Sequence, residues 1–176
     1  DPRASTLGNG SHELLVLLAE TYVAPGDEVV CPQYGFAVFK LAAIGSGALP
    51  VQVSALPREG AQPFGAEPDA MTAALGPKTK AVMIAHTMGV PYRVRELREW
   101  CDQHGLWLVE DNCDALGSRY DRQLTATFGD LATFSFYPAH HITMGEGGAV
   151  ATQSEDLARI ARSFRDWGRD CYCSGG

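Results

Sequence analysis

The sequence has few lysines and no cluster of basic residues. It contains 14 Lys and Arg against 21 Asp and Glu in 176 residues, a formal net charge of −7, and its only lysines are Lys40, Lys78 and Lys80. A protein that binds nucleic acid needs a basic surface to neutralise phosphates. The composition therefore argues against nucleic acid as a partner.

The sequence also lacks a long apolar segment. Its longest apolar stretches, such as residues 14–19 and 106–109, fall far short of the roughly 20 residues that cross a bilayer. No basic segment followed by an apolar one indicates a secretory signal. With 45% hydrophobic and 20% charged residues, the chain is expected to be a cytoplasmic globular domain with no membrane partner.

The five cysteines do not suggest a disulfide framework, because their number is odd. Cys171 and Cys173 are too closely spaced for an ordinary disulfide, and thiolates in such an arrangement usually bind a metal or cluster. With Cys113 they make three ligands, so a fourth ligand is expected beyond the last residue and the chain is expected to be part of a longer polypeptide. Cys31 and Cys101 are interpreted as small buried hydrophobes.

Helical and strand patterns alternate along the chain. This alternation predicts a mainly parallel sheet with helices on both faces, a three-layer α/β/α domain whose ligands bind at the carboxyl ends of the strands. The pattern predicts helices over residues 11–23, 35–44, 69–75, 95–104 and 155–164, and strands over 28–31, 48–53, 80–85, 106–109, 131–136 and 148–152.

Two glycine- or acid-rich segments lie at predicted strand or helix ends. Gly8-Asn9-Gly10-Ser11 opens a helix, where free N–H groups attract an anion, although Ser11 could equally be a simple helix cap. Glu110-Asp111-Asn-Cys-Asp114 follows a buried strand, where carboxylates need a cation or hydrogen-bond donors. A protonated ring nitrogen is the expected partner of these carboxylates. A metal is disfavoured because no histidine has suitable spacing nearby.

A third segment, residues 134–148, places His140 and His141 after a strand and before a glycine-rich turn. Considered alone, an adjacent histidine pair is more often structural or a loose metal site. Because consecutive side chains diverge, only one of the two can point at a given atom. The segment is expected to form the rim of a pocket.

These segments together resemble a known family. The motif Ser135-Phe-x-Pro-x-His140-x-Ile-Thr-x-Gly-Glu-Gly-Gly148, with Glu110-Asp111 and Ala115-Leu-Gly117 upstream, is similar to the DegT/DnrJ/EryC/StrS sugar aminotransferases and dehydratases. These are pyridoxal-phosphate enzymes with the aspartate aminotransferase fold (fold type I). The resemblance implies that residues 1–176 are part of the large domain, with an N-terminal segment and a small C-terminal domain outside them. It also implies a homodimer.

His140 occupies the position at which the aminotransferases of this family carry a lysine that binds the cofactor covalently. None of the three lysines is expected at that place: Lys40 falls in a predicted helix, and Lys78 and Lys80 precede the apolar strand residues that begin at Ala81. The resemblance thereby narrows to ketosugar 3-dehydratases, which hold pyridoxamine 5′-phosphate (PMP) without a covalent bond and use a histidine base. Residues 137–148 and 164–173 are most similar to the CDP-4-keto-6-deoxy-D-glucose 3-dehydrase group.

That group carries a [2Fe–2S] cluster on four cysteines. Here 57 residues separate Cys113 from Cys171 and one separates Cys171 from Cys173, which is the group's spacing for its first three ligands. The resemblance implies further roles: phosphate binding by Asn9, Gly10, Ser11 and Ser135, stacking on the cofactor ring by Phe36, contact with its ring nitrogen by Asp111, a base at His140, and Asp114 and Tyr137 at the reacting centre.

The implied reaction removes the C-3 hydroxyl from a nucleotide-linked 4-keto-6-deoxysugar, in dideoxysugar and lipopolysaccharide biosynthesis. An NAD(P)H-dependent flavin/iron–sulfur reductase would supply the electrons. Three alternatives stay open: a cluster-free 3-dehydratase that uses pyridoxal phosphate, an aminotransferase homologue without the covalent lysine, and a zinc site on a catalytically silent domain. The nucleotide, which could be CDP, dTDP or GDP, and the final sugar are also open.

Overall fold

The computed structural model describes residues 5–8, 10–59, 68–166 and 168–169. Asn9, Cys171 and Cys173, all predicted site residues, lie outside the described residues. Among the helices that are described, none combines the length and apolar character needed to cross a bilayer.

Helices and strands alternate through most of the chain. The helices are α1 (Gly10–Tyr22), α2 (Ala37–Gly45), α3 (Pro68–Ala73), α4 (Val94–His104) and α5 (Glu155–Arg165), with a 3-10 turn at Thr87–Gly89. The strands are β1 (Ser5–Gly8), β2 (Glu28–Pro32), β3 (Leu49–Val53), β4 (Thr79–Ala85), β5 (Trp107–Asp111), β6 (Arg119–Tyr120), β7 (Gln123–Leu124), β8 (Leu131–Ser135) and β9 (Gly148–Ala151).

Seven strands form one sheet in the order β1-β9-β8-β5-β4-β2-β3. Strand β9 is antiparallel to both of its neighbours, and every other pair in this sheet is parallel. The mainly parallel sheet predicted from the alternating pattern is therefore confirmed. The carboxyl ends of β2, β4, β5 and β8 consequently meet at one edge.

The sheet has an apolar cluster on each face. Consecutive strand residues point to opposite faces, and they divide accordingly: Val29 and Met83 pack with α1 and α2, whereas Val30 and Val82 pack with α4 and the Met71 side chain of α3. The sheet thus lies between two helical layers, and the predicted three-layer α/β/α architecture is confirmed.

Local signals define several helix ends. The Ser154 side chain accepts a hydrogen bond from the Leu157 amide at 3.3 Å and caps α5. Gly105 ends α4 in the left-handed conformation, with φ +65°, which glycine adopts without a steric penalty. The helices predicted from the sequence match α1 to α5 except for small shifts of their ends.

Two strand boundaries differ from the prediction. Strand β5 continues through Glu110 and Asp111, because Asp111 pairs with Ala85 on one side and Thr133 on the other. Strand β4 begins at Thr79, one residue before the predicted start, so that Lys80 lies inside it and not before it. These ladders depend on strands distant in sequence, which a local pattern cannot reveal. Lys80 remains at the amino end of its strand.

The structure also contains β1 and a hairpin of β6 and β7, which the sequence pattern does not predict. Strand β1 has four residues, and its pairing partner β9 lies far along the chain, with Ser5 opposite Ala151. So short a strand is stabilised by its distant partner, and its sequence alone carries little signal.

Gly129 provides a test of the packing at the start of β8. A Cβ atom there would lie 2.6 Å from the Leu108 carbonyl oxygen and 3.1 Å from that of Leu131. Since neither backbone oxygen can rotate away, Gly129→Ala is expected to lower the free energy of unfolding by about 1–3 kcal/mol. Urea denaturation of the wild type and the variant measures this difference in the free energy of unfolding.

Gly45→Ala is the matched control, because Gly45 is in α2 and a Cβ there would meet nothing within 4 Å. Removing a helical glycine should stabilise the protein by roughly 0.5–1 kcal/mol. If the two substitutions changed the free energy of unfolding equally, the close packing assigned to Gly129 would be contradicted.

Candidate functional site

The predicted site residues that the structure describes gather at the carboxyl edge of the sheet. Asp111 ends β5, Ser135 ends β8, and the loops that follow carry Asp114 and His140. This is the edge at which parallel α/β sheets bind ligands. The order of the strands therefore brings together these four residues, which are up to 29 positions apart.

One corner of this edge is built from small residues and a helix start. Gly8 at the end of β1 pairs with Gly148 of β9, which pairs with Ser135 of β8. Helix α1 begins at Gly10 immediately afterwards, and Ser11 is buried. Hydroxyl groups beside a helix start form a surface on which an anion such as a phosphate group can bind.

Asp111 is buried with one oxygen unpartnered. Its Oδ1 accepts hydrogen bonds from Thr133 Oγ1 at 3.0 Å and from the Cys113 amide at 3.2 Å, while Oδ2 has no hydrogen-bond partner among the described residues. Burial raises the pKa of this carboxyl, and the hydrogen bonds only partly offset that effect. The unpartnered Oδ2 is chemically suited to a protonated ring nitrogen, which would supply both a donor and a positive charge.

The Asp111 oxygen lies on a defined face of the sheet. Asp111 and Val109 are two residues apart in β5, so their side chains point to the same face of the sheet. The Val109 side chain packs with the apolar cluster that contains α1. The face that carries Asp111 is therefore the face that α1 covers. A flat ligand with an anionic group could contact Asp111 and the α1 start together.

His140 is paired with Asp114. The imidazole Nδ1 lies 3.1 Å from Asp114 Oδ1, and the other carboxylate oxygen accepts the Met88 amide at 3.3 Å. The Tyr137 ring meets the imidazole edge-on, with ring centroids 6.4 Å apart. With Nδ1 donating to the carboxylate, Nε2 is left as a proton acceptor. This pair can therefore act as a general base.

The neighbouring histidine takes a different position. His141 is exposed, whereas the His140 side chain is only 19% exposed. Only one member of the adjacent pair thus joins this arrangement of side chains. This agrees with the divergence expected of consecutive residues.

Cys113 lies beside the His140–Asp114 pair. Its sulfur and one ligand atom from each of Asp114 and His140 all lie within 4.8 Å of one another. The sequence spacing around these carboxylates did not indicate a nearby histidine, but the fold brings His140 beside them. The histidine arrives from the loop after β8, which neighbours β5 in the sheet. Burial, and then the charges of Asp111 and Asp114, raise the pKa of the Cys113 thiol to about 12.

Phe36 and Tyr137 are the remaining predicted residues that the structure describes. Phe36 immediately precedes α2, is 45% exposed, and meets Phe39 edge-on with centroids 6.0 Å apart. Tyr137 is 49% exposed, and its amide donates to Ser135 Oγ at 3.4 Å. The roles of these residues, including stacking by Phe36, stay predictions.

His86 and Glu110 form a buried pair that the sequence reasoning missed. His86 Nε2 lies 2.9 Å from Glu110 Oε2, and the His86 ring stacks on Tyr92 with centroids 4.2 Å apart. The signal was present: alternation along a strand puts Glu110 and Asp111 on opposite faces, so the two adjacent acids cannot share one partner.

The Glu110 carboxylate also binds the chain that leads into β8. It accepts hydrogen bonds from the amides of Ala126 at 2.9 Å, Phe128 at 2.9 Å and Gly129 at 2.6 Å. Burial acts to raise the pKa of Glu110, but the hydrogen bonds from His86 and these amides outweigh it and lower the pKa. Glu110 is therefore an ionised anchor that fixes β8 beside β5.

Comparison with known proteins relates the whole region to one family. A family model described as the DegT/DnrJ/EryC1/StrS aminotransferase family matches residues 2–173. Among solved structures, an aminotransferase, TlmJ from Streptoalloteichus hindustanus, superposes with a TM-score of 0.83 at 30% identity, over 93% of this chain and 44% of that one. The aminotransferase fold expected from the sequence motif is thereby confirmed.

Two curated proteins are more similar in sequence. The lipopolysaccharide biosynthesis protein RfbH of Salmonella typhimurium is 47% identical over 98% of this chain and 40% of its own length. The dTDP-4-dehydro-2,6-dideoxy-D-glucose 3-dehydratase of Saccharopolyspora spinosa is 50% identical over 90% of this chain and 34% of its own length. The chain thus spans less than half the length of these relatives.

The Glu110 anchor predicts a pH-dependent effect on stability. Because its pKa is lowered in the folded protein, Glu110 stabilises the fold above its unfolded pKa of about 4.3, and this contribution is lost as the pH falls through the folded pKa. Glu110→Gln is expected to lower the free energy of unfolding at pH 7 by about 2–3 kcal/mol. The difference from wild type should shrink as the pH falls below about 4.

Urea denaturation across that pH range measures the effect. Glu99→Gln is the matched control, since Glu99 is exposed on α4 and its substitution should change stability by less than about 0.5 kcal/mol. If Glu110→Gln lowers the free energy of unfolding by the same amount at every pH, the charge of the carboxylate is not what holds the residues before β8.

Proposed function

The chain belongs to the DegT/DnrJ/EryC1/StrS aminotransferase family, and on that premise we propose that it is the cofactor-binding part of a nucleotide-sugar 3-dehydratase. The substrate would be a nucleotide-linked 4-keto-6-deoxysugar. The C-3 hydroxyl leaves as water, and two electrons and two protons from outside complete the replacement of that C–O bond by a C–H bond.

One observation carries the proposal: a histidine paired with a carboxylate stands where family aminotransferases carry a lysine. His140 is held by Asp114 at the edge of the sheet where Asp111 presents its unpartnered oxygen. A histidine cannot bind the cofactor covalently as a lysine does, but it can move protons at neutral pH because its ordinary pKa is about 6.5. The 50% identity to a protein named as a sugar 3-dehydratase supports the same assignment.

The described residues fit a pyridoxamine phosphate cofactor, PMP. Asp111 Oδ2 would accept the ring N–H and, as a carboxylate, keep that nitrogen protonated. The phosphate would bind at the start of α1, and Phe36 would cover the ring. When bound, PMP supplies an amine for the sugar ketone and a ring that accepts electrons. The phosphate ligands proposed are Asn9, Gly10, Ser11 and Ser135.

The protein's own residues then move protons. His140 Nε2 would remove a proton from the cofactor C-4′ carbon, and Asp114 would stabilise the resulting imidazolium and keep it oriented. The imidazolium can return that proton to the departing C-3 oxygen. Tyr137, whose ring borders the imidazole, lines the same centre and limits the positions open to the sugar.

A [2Fe–2S] cluster is proposed as the route for the two electrons. Its ligands would be Cys113, Cys171 and Cys173, with a fourth cysteine from elsewhere in the protein, and an NAD(P)H-dependent flavin/iron–sulfur reductase would be the donor. The cysteine spacing supports this, as does the position of Cys113 beside His140. We also propose that the chain is part of the large domain of a homodimeric enzyme.

An aminotransferase is the second candidate function, because an aminotransferase from Streptoalloteichus hindustanus shares the fold. The two candidates differ in their products. A 3-dehydratase leaves a deoxysugar ketone and keeps its amino group on the cofactor. An aminotransferase transfers that amino group to the sugar.

Exchange of the cofactor C-4′ proton tests the role of His140. Protein loaded with PMP and CDP-4-keto-6-deoxyglucose in D₂O should incorporate deuterium at C-4′, as measured by mass spectrometry. His140→Asn should keep PMP bound but slow the exchange by about 100-fold or more, which is the usual contribution of a general base. The matched control is His141→Asn at the exposed neighbouring position, which should exchange as wild type does.

Undiminished exchange in His140→Asn would remove the base assignment. Formation of an amino sugar with consumption of PMP would replace the proposed function by the aminotransferase alternative. A cluster-free 3-dehydratase would retain the exchange, so the cluster needs its own test.

Anaerobic reconstitution with iron and sulfide in zinc-free buffer provides that test. The protein should become reddish-brown and, after one-electron reduction, show the paramagnetic resonance signal of a [2Fe–2S]⁺ centre. Cys113→Ser should lose both features, and Cys101→Ala should keep them, because Cys101 is buried between α4 and the sheet. Failure to take up iron would favour the cluster-free alternative.

A further inference from the structure

Three side chains of different chemistry converge beside the carboxyl ends of β5 and β8. They are Cys113, Asp114 and His140, each partly buried, with one ligand atom of each within 4.8 Å of the others. From this convergence we propose that the three side chains form a binding site for a single divalent cation of the Zn²⁺ type. This site differs from the iron–sulfur site proposed above, because it uses the imidazole and carboxylate and needs neither Cys171 nor Cys173.

The distances suit a tetrahedral ion after a small contraction. Bonds from Zn²⁺ to sulfur, nitrogen and oxygen are about 2.0–2.3 Å, so ligand atoms around it lie roughly 3–4 Å apart. His140 Nδ1 and Asp114 Oδ1 are already 3.1 Å apart. The remaining ligand-atom separations, at most 4.8 Å, need only a small contraction to reach that range.

The donor set also selects among cations. Thiolate, imidazole and carboxylate are the three ligand types that Zn²⁺ uses, whereas Mg²⁺ and Ca²⁺ prefer oxygen ligands. Three protein ligands leave a fourth position for water, as in open zinc sites. Selectivity for Zn²⁺ or Co²⁺ over Mg²⁺ and Ca²⁺ therefore follows.

The surroundings favour a cation at this point. Asp111 ends β5 two residues before Cys113 and has an oxygen without a partner among the described residues, so its charge adds to that of Asp114. The second Asp114 oxygen is held by the Met88 amide at 3.3 Å. Such outer hydrogen bonds orient metal ligands and strengthen binding. The carboxylate is thus positioned before a cation arrives.

Binding would have a consequence that rests on the proposed function. The cation would occupy the imidazole that acts as the base and the thiolate that binds the cluster. Zn²⁺ binding and either of these roles would then be mutually exclusive. The bound cation would inhibit the enzyme in proportion to its occupancy.

Titration of the metal-free protein with Co²⁺ tests the site without substrate or cofactor. One equivalent should produce a sulfur-to-cobalt charge-transfer band and the intense visible bands of a tetrahedral site, and Zn²⁺ should abolish both. Excess Mg²⁺ or Ca²⁺ should leave both spectral features unchanged. Cys113→Ser should remove the charge-transfer band. Asp114→Asn and His140→Gln should each weaken binding by about 10–100-fold or more, since even outer-shell changes have effects of that size.

Two further variants make the outcome decisive. His141→Gln, at the exposed neighbour of His140, should bind as wild type does. The double variant Cys171→Ser, Cys173→Ser should also bind Co²⁺ as wild type does. If the double variant loses Co²⁺ while Asp114→Asn and His140→Gln retain it, the cation uses the paired cysteines and the proposal is wrong. If Co²⁺ binds as expected but no iron–sulfur cluster can be reconstituted, the proposed function loses its electron route and the cation site stands.

Discussion

The parallel alignment of β5 between β4 and β8 is the constraint on which the rest of the site depends. It makes three strands end at one edge, so that residues distant in sequence meet there. It also places the adjacent acids Glu110 and Asp111 on opposite faces. The first binds His86 and three backbone amides, while the second keeps one oxygen without a partner among the described residues.

The two neighbouring carboxylates differ in how many of their hydrogen bonds the protein itself supplies. Glu110 has its hydrogen bonds satisfied within the protein, and it fixes the start of β8 relative to β5. Asp111 is buried but incompletely satisfied, which costs folding free energy unless a ligand supplies the missing donor. Glu110 keeps the end of β5 beside the residues that lead into β8. The two environments lie one residue apart because successive side chains of a strand point to opposite faces of the sheet.

Much of the fold could be predicted from the sequence because its signals are local. The continuous apolar segment at residues 80–85 indicates a strand buried on both faces, and Ser154 marks the start of a helix. Strand β1 and the extension of β5 through Asp111 were missed, since pairing with distant strands defines both. In the site, the pairing of His140 with Asp114 was not foreseen as geometry. It arises because the loops after β5 and β8 are neighbours only in the folded sheet.

The sequence by itself determined which chemical groups are available: a histidine at position 140 after the strand that ends at Ser135, adjacent acids at 110 and 111, and three cysteines at 113, 171 and 173. These are properties of residue type and position, which the chain carries whether or not it is folded. Only the tertiary structure decided which groups act on one another. It joined Cys113 to the His140–Asp114 pair and assigned Glu110 to His86 and not to the site. The physical reason is that electrostatic and hydrogen-bond interactions depend on distances of a few ångströms, and strand order sets those distances.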